Sequence, residues 1–558
     1  MEYFTKVIGM HLLKNHISRD PIIDWFEIQN VRNTLFNKDK NNYFRKYILN
    51  ETINYKTNFL NNLKNKLLDI HPNNIVYENT GVNETIHLLK NKYPIIFKPN
   101  LISEKYNVHV SVDIIILKRL FLDVFKDIKN VNMKSIKNSN YIIINIIPEI
   151  VQFKTDKKTL QKNEIINFNE CCLYVFNSAL KQYMERPDIG FIFAKGYKLK
   201  NSFLEKKEHI GLVKFDDNIR WKIINAVNWL NRLKTNTYIM NYNDVPCIEL
   251  YPNMNFKNTE YQDEKKKIAE RIKEITLIWR ISYEERCELV KNGIKTWDNI
   301  YLINNLYDLK DSNTKNIQEK IIHMNLQDEI LIQPRIELSI QFQDILKPSK
   351  NEYILDIESL IHLEEKTNYF NDIIEKDKAT ICIIGSVHLQ DNLFKSFQDF
   401  TINNLSIAEE KNIIINWLNS LKACDNGFVK IYHWGHAEKT YIHTMKSKFL
   451  DIRFPKMILI DLLDFFKNEP IIIKDCFNFG LKNVGKALYN HKFISTTWDS
   501  TDNGLDAMIQ FKEICEQNKD KNIPLKRYTD ISDIVNYNRI DCIVLTEILM
   551  FLRKRYLL

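Results

Sequence analysis

The sequence predicts an α/β protein built from more than one domain, and three observations carry that reading. Apolar, strand-like runs alternate with amphipathic helical stretches between about residues 108 and 235, and again from Tyr353 onward. The part between those regions reads as helical and charged. At 558 residues the chain is long enough for two to four domains with separate cores. The expected boundaries are therefore 1–235 for an α/β domain, 236–348 for a helical connector and 349–558 for a second α/β domain.

Composition narrows the class. With 44% hydrophobic and 27% charged residues, the chain falls among ordinary globular proteins, and 12 Gly and 13 Pro argue against long disordered linkers. The Asn/Lys/Ile bias matches an AT-rich genome. A formal charge of +9 favours an anionic partner. Nine cysteines without a C-x-x-C pair point away from a zinc ribbon or a disulfide scaffold. No apolar run reaches about 18 residues, and the opening segment lacks the pattern of a signal peptide. The expectation is a soluble intracellular protein, in a cell or in a particle made inside one, without a membrane partner.

In chain order, residues 1–100 read mainly as helices, with amphipathic patterns over Trp25–Phe36 and Ile53–Ile70 and breaks at Asn73, Asn74 and Pro99. Val108–Leu117 reads as one strand region ending in Ile114-Ile115-Ile116-Leu117, with Asp113 at the head of that run. Tyr141–Ile147 is a second strand, Ile165–Met184 a helix and Gly190–Ala194 a third strand. Arg220–Leu233 is a helix carrying Trp221 and Trp229.

Strands bearing polar residues and followed by a helix resemble the core of the PD-(D/E)xK nucleases of RecB type. Active members carry a glutamate on an early helix, an aspartate on one strand, D/E-x-K on the next, and often a glutamine on the following helix. Asp113 fits the first strand position. The D/E-x-K position falls on Asn145-Ile146-Ile147, the early glutamate position on Lys56, and the glutamine near Cys172. One carboxylate without a lysine does not hold Mg²⁺ for hydrolysis. Glu149 is the nearest candidate for a migrated ligand. The resemblance implies a retained but inactive fold that binds or scaffolds.

The connector carries a charged helix over Glu264–Ile275, the apolar Glu274–Trp279, a helix over Glu284–Lys291, the break Asn292-Gly293-Ile294, and a further helix opening at Trp297. This is similar to a helix-hairpin-helix, whose amides contact backbone phosphate; Ser282 stands where a hairpin glycine is common. A plain helical connector is the alternative.

The last region holds the chemistry. Tyr353-Ile354-Leu355-Asp356-Ile357-Glu358-Ser359 is an apolar strand whose period of two puts Asp356 and Glu358 on one side. Strands follow over Ala379–Val387 and Leu393–Phe400, then a helix over Ile407–Cys424, a strand over Phe428–Trp434, and a helix opening at Gly435-His436-Ala437-Glu438. Asp461–Phe466 is amphipathic and helical. Val535–Leu552 is a late helix on which Tyr537 and Asp541 lie one turn apart. Two carboxylates on a strand and one on a late helix are what a pair of divalent ions needs for phosphodiester hydrolysis.

This order resembles the RNase H-like fold, and more narrowly the DEDD 3′-5′ exonucleases. The YprB-type branch, fused behind a RecB-like domain and a hairpin segment, would cover nearly the whole chain. The resemblance implies that Asp356, Glu358, Glu438 and Asp541 ligate two Mg²⁺ or Mn²⁺ ions. It implies too that Tyr537 orients the attacking water. Glu438 stands where most members have aspartate, and His433, His436 or Asp461 compete for that position. Lys474, Lys482 and Lys486 suit a nucleic-acid backbone, or simply solvate an exposed face. The expected activity is a nuclease acting on nucleic acid, DNA favoured over RNA, with a C-terminal domain that works when cut free at about Ser349. A non-catalytic binding or scaffold protein made of decayed nuclease domains is the alternative. A transposase or resolvase fits less well, because those usually lack the tyrosine four before the last aspartate.

Overall fold

The computed structural model describes residues 6–557 apart from 34–35, 39–42, 71–75, 79–80, 132–140, 185–188, 201, 237, 257–259, 300–311, 335–337, 361–378, 425–426, 499–503 and 519–522. It is a mixed α/β chain in two compact units that divide between Arg271 and Ile272. The expected middle domain is therefore not a body of its own. Residues 236–271 belong with the first unit, and 272–348 belong with the second.

In the first unit the long helix α1 (Tyr43–Ile70) and four apolar strands form one core. Those strands are β1 (Ile95–Phe97), β2 (Ile114–Leu117), β3 (Tyr141–Phe153) and β4 (Ile189–Leu199); β5 (Gly211–Lys214) closes one side of the sheet. β3 and β4 run parallel, so a crossover must join them, and α2 (Glu164–Leu180) supplies it. α3 (Asp217–Thr235) packs Trp229 inward and leaves Trp221 exposed.

Two expectations need adjustment here. The run Val108–Leu117 is not continuous. Val108–Ser111 pairs with Asn100–Ser103 in a separate three-stranded sheet, and Asp113 sits at the joint before β2. The second strand continues past Ile147 to Phe153, because a register shift between Ile147 and Ile150 lets it pass Pro148, which has no N–H for the ladder.

The second unit is organised by a five-stranded sheet. Its strands are β6 (Asn351–Leu360), β7 (Thr380–Gln390), β8 (Leu393–Thr401), β9 (Val429–His433) and β10 (Met457–Asp461). The order is β8-β7-β6-β9-β10, with the first three antiparallel and the last three parallel. α4 (Ile407–Ser420) links β8 to β9, α5 (Ala437–Lys448) follows β9, and α6 (Leu462–Asn468) follows β10. α7 (Leu481–Asn490) and the 28-residue α8 (Thr529–Tyr556) complete the part that bears the site. The alternation of β6 divides its neighbours. Tyr353, Leu355 and Ile357 enter a core with Trp417 of α4, while Ile354 enters another with Leu545 and Leu549 of α8. Asp356 and Glu358 share the parity of Ile354, so the strand period aims them toward α8.

That second core also takes Ile275, Ile281, Leu289 and Ile321 from the expected connector. Ile332 and Gln333 pair with Ile473 and Ile472 in a short antiparallel ladder. Within the hairpin-like segment Ser282 caps the helix Tyr283–Lys291 through a full capping box with Glu285. Trp297 and Asp298 form a turn, and the second helix expected there runs into residues 300–311, outside those described. Among the described residues no helix is long and apolar enough to cross a membrane.

Candidate metal centre in the second unit

β6 and α8 bring three of the predicted residues together. One carboxylate oxygen from each of Asp356, Glu358 and Asp541 lies within 4.8 Å of the others. Asp356 faces Gly385 of β7 across the ladder, and a bulge after Glu358 shifts the register there. The buried Asn538 of α8 donates from Nδ2 to Asp356 Oδ2 at 2.6 Å and to the Asp356 carbonyl at 3.3 Å. Trp498 Nε1 donates to Asp541 Oδ1 at 2.6 Å, and both residues are buried.

Burial dominates the electrostatics. Withdrawal from water raises the pKa of Asp356 well above the carboxylate range, with Asp541 and Glu358 adding repulsion. The same causes, burial first and then Asp541 and Glu438, push Glu358 up to about 8. Lys482, on α7, partly offsets the shift on Glu358, and its Nζ stands 4.7 Å from the ring centroid of Tyr537. Tyr537 itself is buried, one turn before Asp541.

Glu438 sits in the first turn of α5, after a turn in which Gly435 takes φ +91°, a conformation that favours glycine. Glu438 is buried, and its Oε2 has no hydrogen-bond partner; His433 Nδ1 lies 3.6 Å away. Glu438 contributes to the upward shift on Asp356 and Glu358, and its own carboxyl is raised to about 8 by burial, with Asp461 and Asp541 adding to it. It stands outside the three-carboxylate group.

The competing residues have other work. Asp461 caps α6, its Oδ1 accepting from the amides of Leu463 at 2.9 Å and Gly435 at 2.8 Å. With the exposed His436 and with Asp464 it makes a second group whose ligand atoms fall within 4.8 Å. His433 donates from Nδ1 to the Gly435 carbonyl, 2.8 Å away, inside the turn that precedes α5.

In the first unit Asp113 meets a different partner. Both its carboxylate oxygens take hydrogen bonds from Lys56 Nζ, at 2.8 and 2.9 Å, and Oδ2 also accepts from the Ile146 amide at 2.6 Å. Asn145 accepts from the Asp113 amide. The lysine at the glutamate position thus brings its own positive charge to the aspartate. Glu149, half-buried, interacts with Lys14. Among the described residues, both groups able to hold a metal lie in the second unit.

Trp498, Asn538, Gly385 and Gly485 were not foreseen. Asn538 had a signal, since it adjoins Tyr537 and lies three residues before Asp541 on the same helix. Trp498 had none, because it comes from an irregular segment without periodicity. Comparison with protein-family models, curated proteins and solved structures gives no match.

Proposed function

We propose that this protein is a metal-dependent nuclease, a 3′-5′ exonuclease whose active site lies on β6 and α8 of the second unit. The observation that carries this reading is the meeting of the half-buried Asp356 and Glu358 with the buried Asp541 in one cluster. Buried carboxylates that repel one another either keep protons or gather cations. An all-oxygen donor set suits Mg²⁺ or Mn²⁺. Such ions, when bound, polarise a phosphoryl oxygen and lower the pKa of a water. Asp356, Glu358 and Asp541 hold them, and Glu438 contributes negative charge from the next strand's helix. Tyr537 orients the water at the edge of the cluster. Lys482, beside Tyr537 and Glu358, attracts the substrate phosphate. The strand order of the second unit, three antiparallel and then two parallel with flanking helices, supports the RNase H-like reading. The Lys56–Asp113 pair supports an inactive first domain that binds or scaffolds.

The test is incubation of the full chain with single- and double-stranded DNA and RNA labelled at either end, in Mg²⁺, Mn²⁺ or chelator. The expected result is metal-dependent shortening from the 3′ end, faster on DNA. Intact substrates under every condition would favour the non-catalytic reading.

A further inference from the structure

We propose that Trp498 and Asn538 are positioning residues of the carboxylate site, fixing Asp541 and Asp356 in the orientation that receives a divalent cation. This rests on the metal-dependent reading above. Each donor gives a short hydrogen bond to one carboxylate oxygen, at 2.6 Å in both cases. They reach the cluster from separate parts of the chain, Trp498 from the segment after α7 and Asn538 from within α8.

The packing reserves space for both. A Cβ at Gly385 would lie 1.9 Å from Asn538 Oδ1, and one at Gly485 would lie 2.8 Å from the Trp498 ring. β7 and α7 thus each carry a glycine where one of these two donors approaches. Asn538 is wholly buried, and its Oδ1 has no hydrogen-bond partner. An aliphatic side chain would remove that unsatisfied oxygen and suit the surrounding core. The amide at this place is explained by what its Nδ2 does, which is to hold both the carboxylate and the carbonyl of Asp356. Hydrogen bonds of this kind to ligating carboxylates commonly govern metal affinity by about 10–100-fold.

The experiment measures Mn²⁺ affinity directly, by the electron paramagnetic resonance of free Mn²⁺ over metal-free full-length protein, alongside the thermal melt of each variant without metal. Trp498→Phe and Asn538→Leu remove the donors. A third protein carries benzothienylalanine at position 498, which keeps the bicyclic shape and lacks the N–H. Binding weaker by about tenfold or more in the benzothienyl protein and in Asn538→Leu, with both still melting cooperatively without metal, is the expected result. Wild-type affinity in the benzothienyl protein overturns the role of Trp498, whatever the phenylalanine variant does. Unchanged affinity in Asn538→Leu overturns the role of Asn538. If the wild-type protein itself takes up no Mn²⁺, the metal-dependent reading falls and this proposal falls with it.

Discussion

Asp356 and Glu358 are half-buried acids held close together, and their repulsion has a consequence for stability. In the metal-free protein Glu358 and Glu438 titrate near pH 8, and Asp356 is raised as well. The folded state therefore keeps protons that the unfolded chain releases near its ordinary carboxylate pKa. Their stabilisation is full below about pH 4.5 and is lost as pH rises through about 8. In chelator, this cluster is predicted to make the melting temperature fall between about pH 4.5 and pH 8, and saturating Mg²⁺ should flatten that fall. Differential scanning calorimetry across that window checks it, and Asp356→Asn with Glu358→Gln should remove most of the slope. The lysine at position 56 makes a second prediction. Lys56→Met leaves the buried Asp113 with only its amide partner, at a cost of about 1–3 kcal/mol by urea denaturation, without change in nuclease activity. Much of this scale was legible in the sequence. The i, i+2 spacing on one strand and the late helix anticipated the trio. The partners that orient it were not legible, because a hydrogen bond from Trp498 to Asp541 spans 43 positions and leaves no local pattern.

At the scale of elements, the strands with clean alternation and apolar runs were readable, and β6, β7, β8 and β9 lie close to where periodicity put them. β10 was missed for a physical reason. It is a short, half-exposed strand at the edge of the sheet, and it runs directly into the amphipathic α6, so Asp461–Phe466 reads as one helix. The helix from Ile407 ends at Ser420 instead of Cys424, where the chain turns back toward β9. Glycine placement inside regular elements gives the prediction at this scale. Gly485→Ala should cost about 1–3 kcal/mol, since the new methyl meets Trp498 and Val544 within 3.0 Å and the core there is closed. The check is a chevron or equilibrium urea series on the full chain. A neutral or stabilising result would mean that Trp498 is free to move away.

For the whole molecule, the division at Arg271 and Ile272 replaces the boundary near Ser349. Composition could not reveal this, because the residues before Ser349 are helical and charged on the outside, while their apolar positions join a core with Phe465, Leu545 and Leu549, far along the chain. Arg553, near the end of α8, donates to both oxygens of Glu352 at 2.8 Å and to the Leu346 carbonyl, which closes that core from the other side. A fragment starting at Ser349 is therefore predicted to lose Ile275, Ile281, Leu289 and Ile321 from its interior and to unfold or aggregate. A fragment starting at Ile272 should melt cooperatively. Circular dichroism melts of the two fragments decide between them, and a stable, cooperative 349–558 would contradict this account of the core.

The central claim is that the carboxylates on β6 and α8 cut nucleic acid with the help of a divalent ion. The most direct measurement is the single-turnover rate on a 3′-labelled single-stranded DNA in Mn²⁺, for the full chain and for Asp356→Ala combined with Asp541→Ala. The account predicts measurable hydrolysis by the full chain and a loss of at least about 10³-fold in the double variant, as expected when ligands to a catalytic ion are removed. Hydrolysis that survives the double substitution at its original rate would contradict it and would place the chemistry elsewhere in the chain.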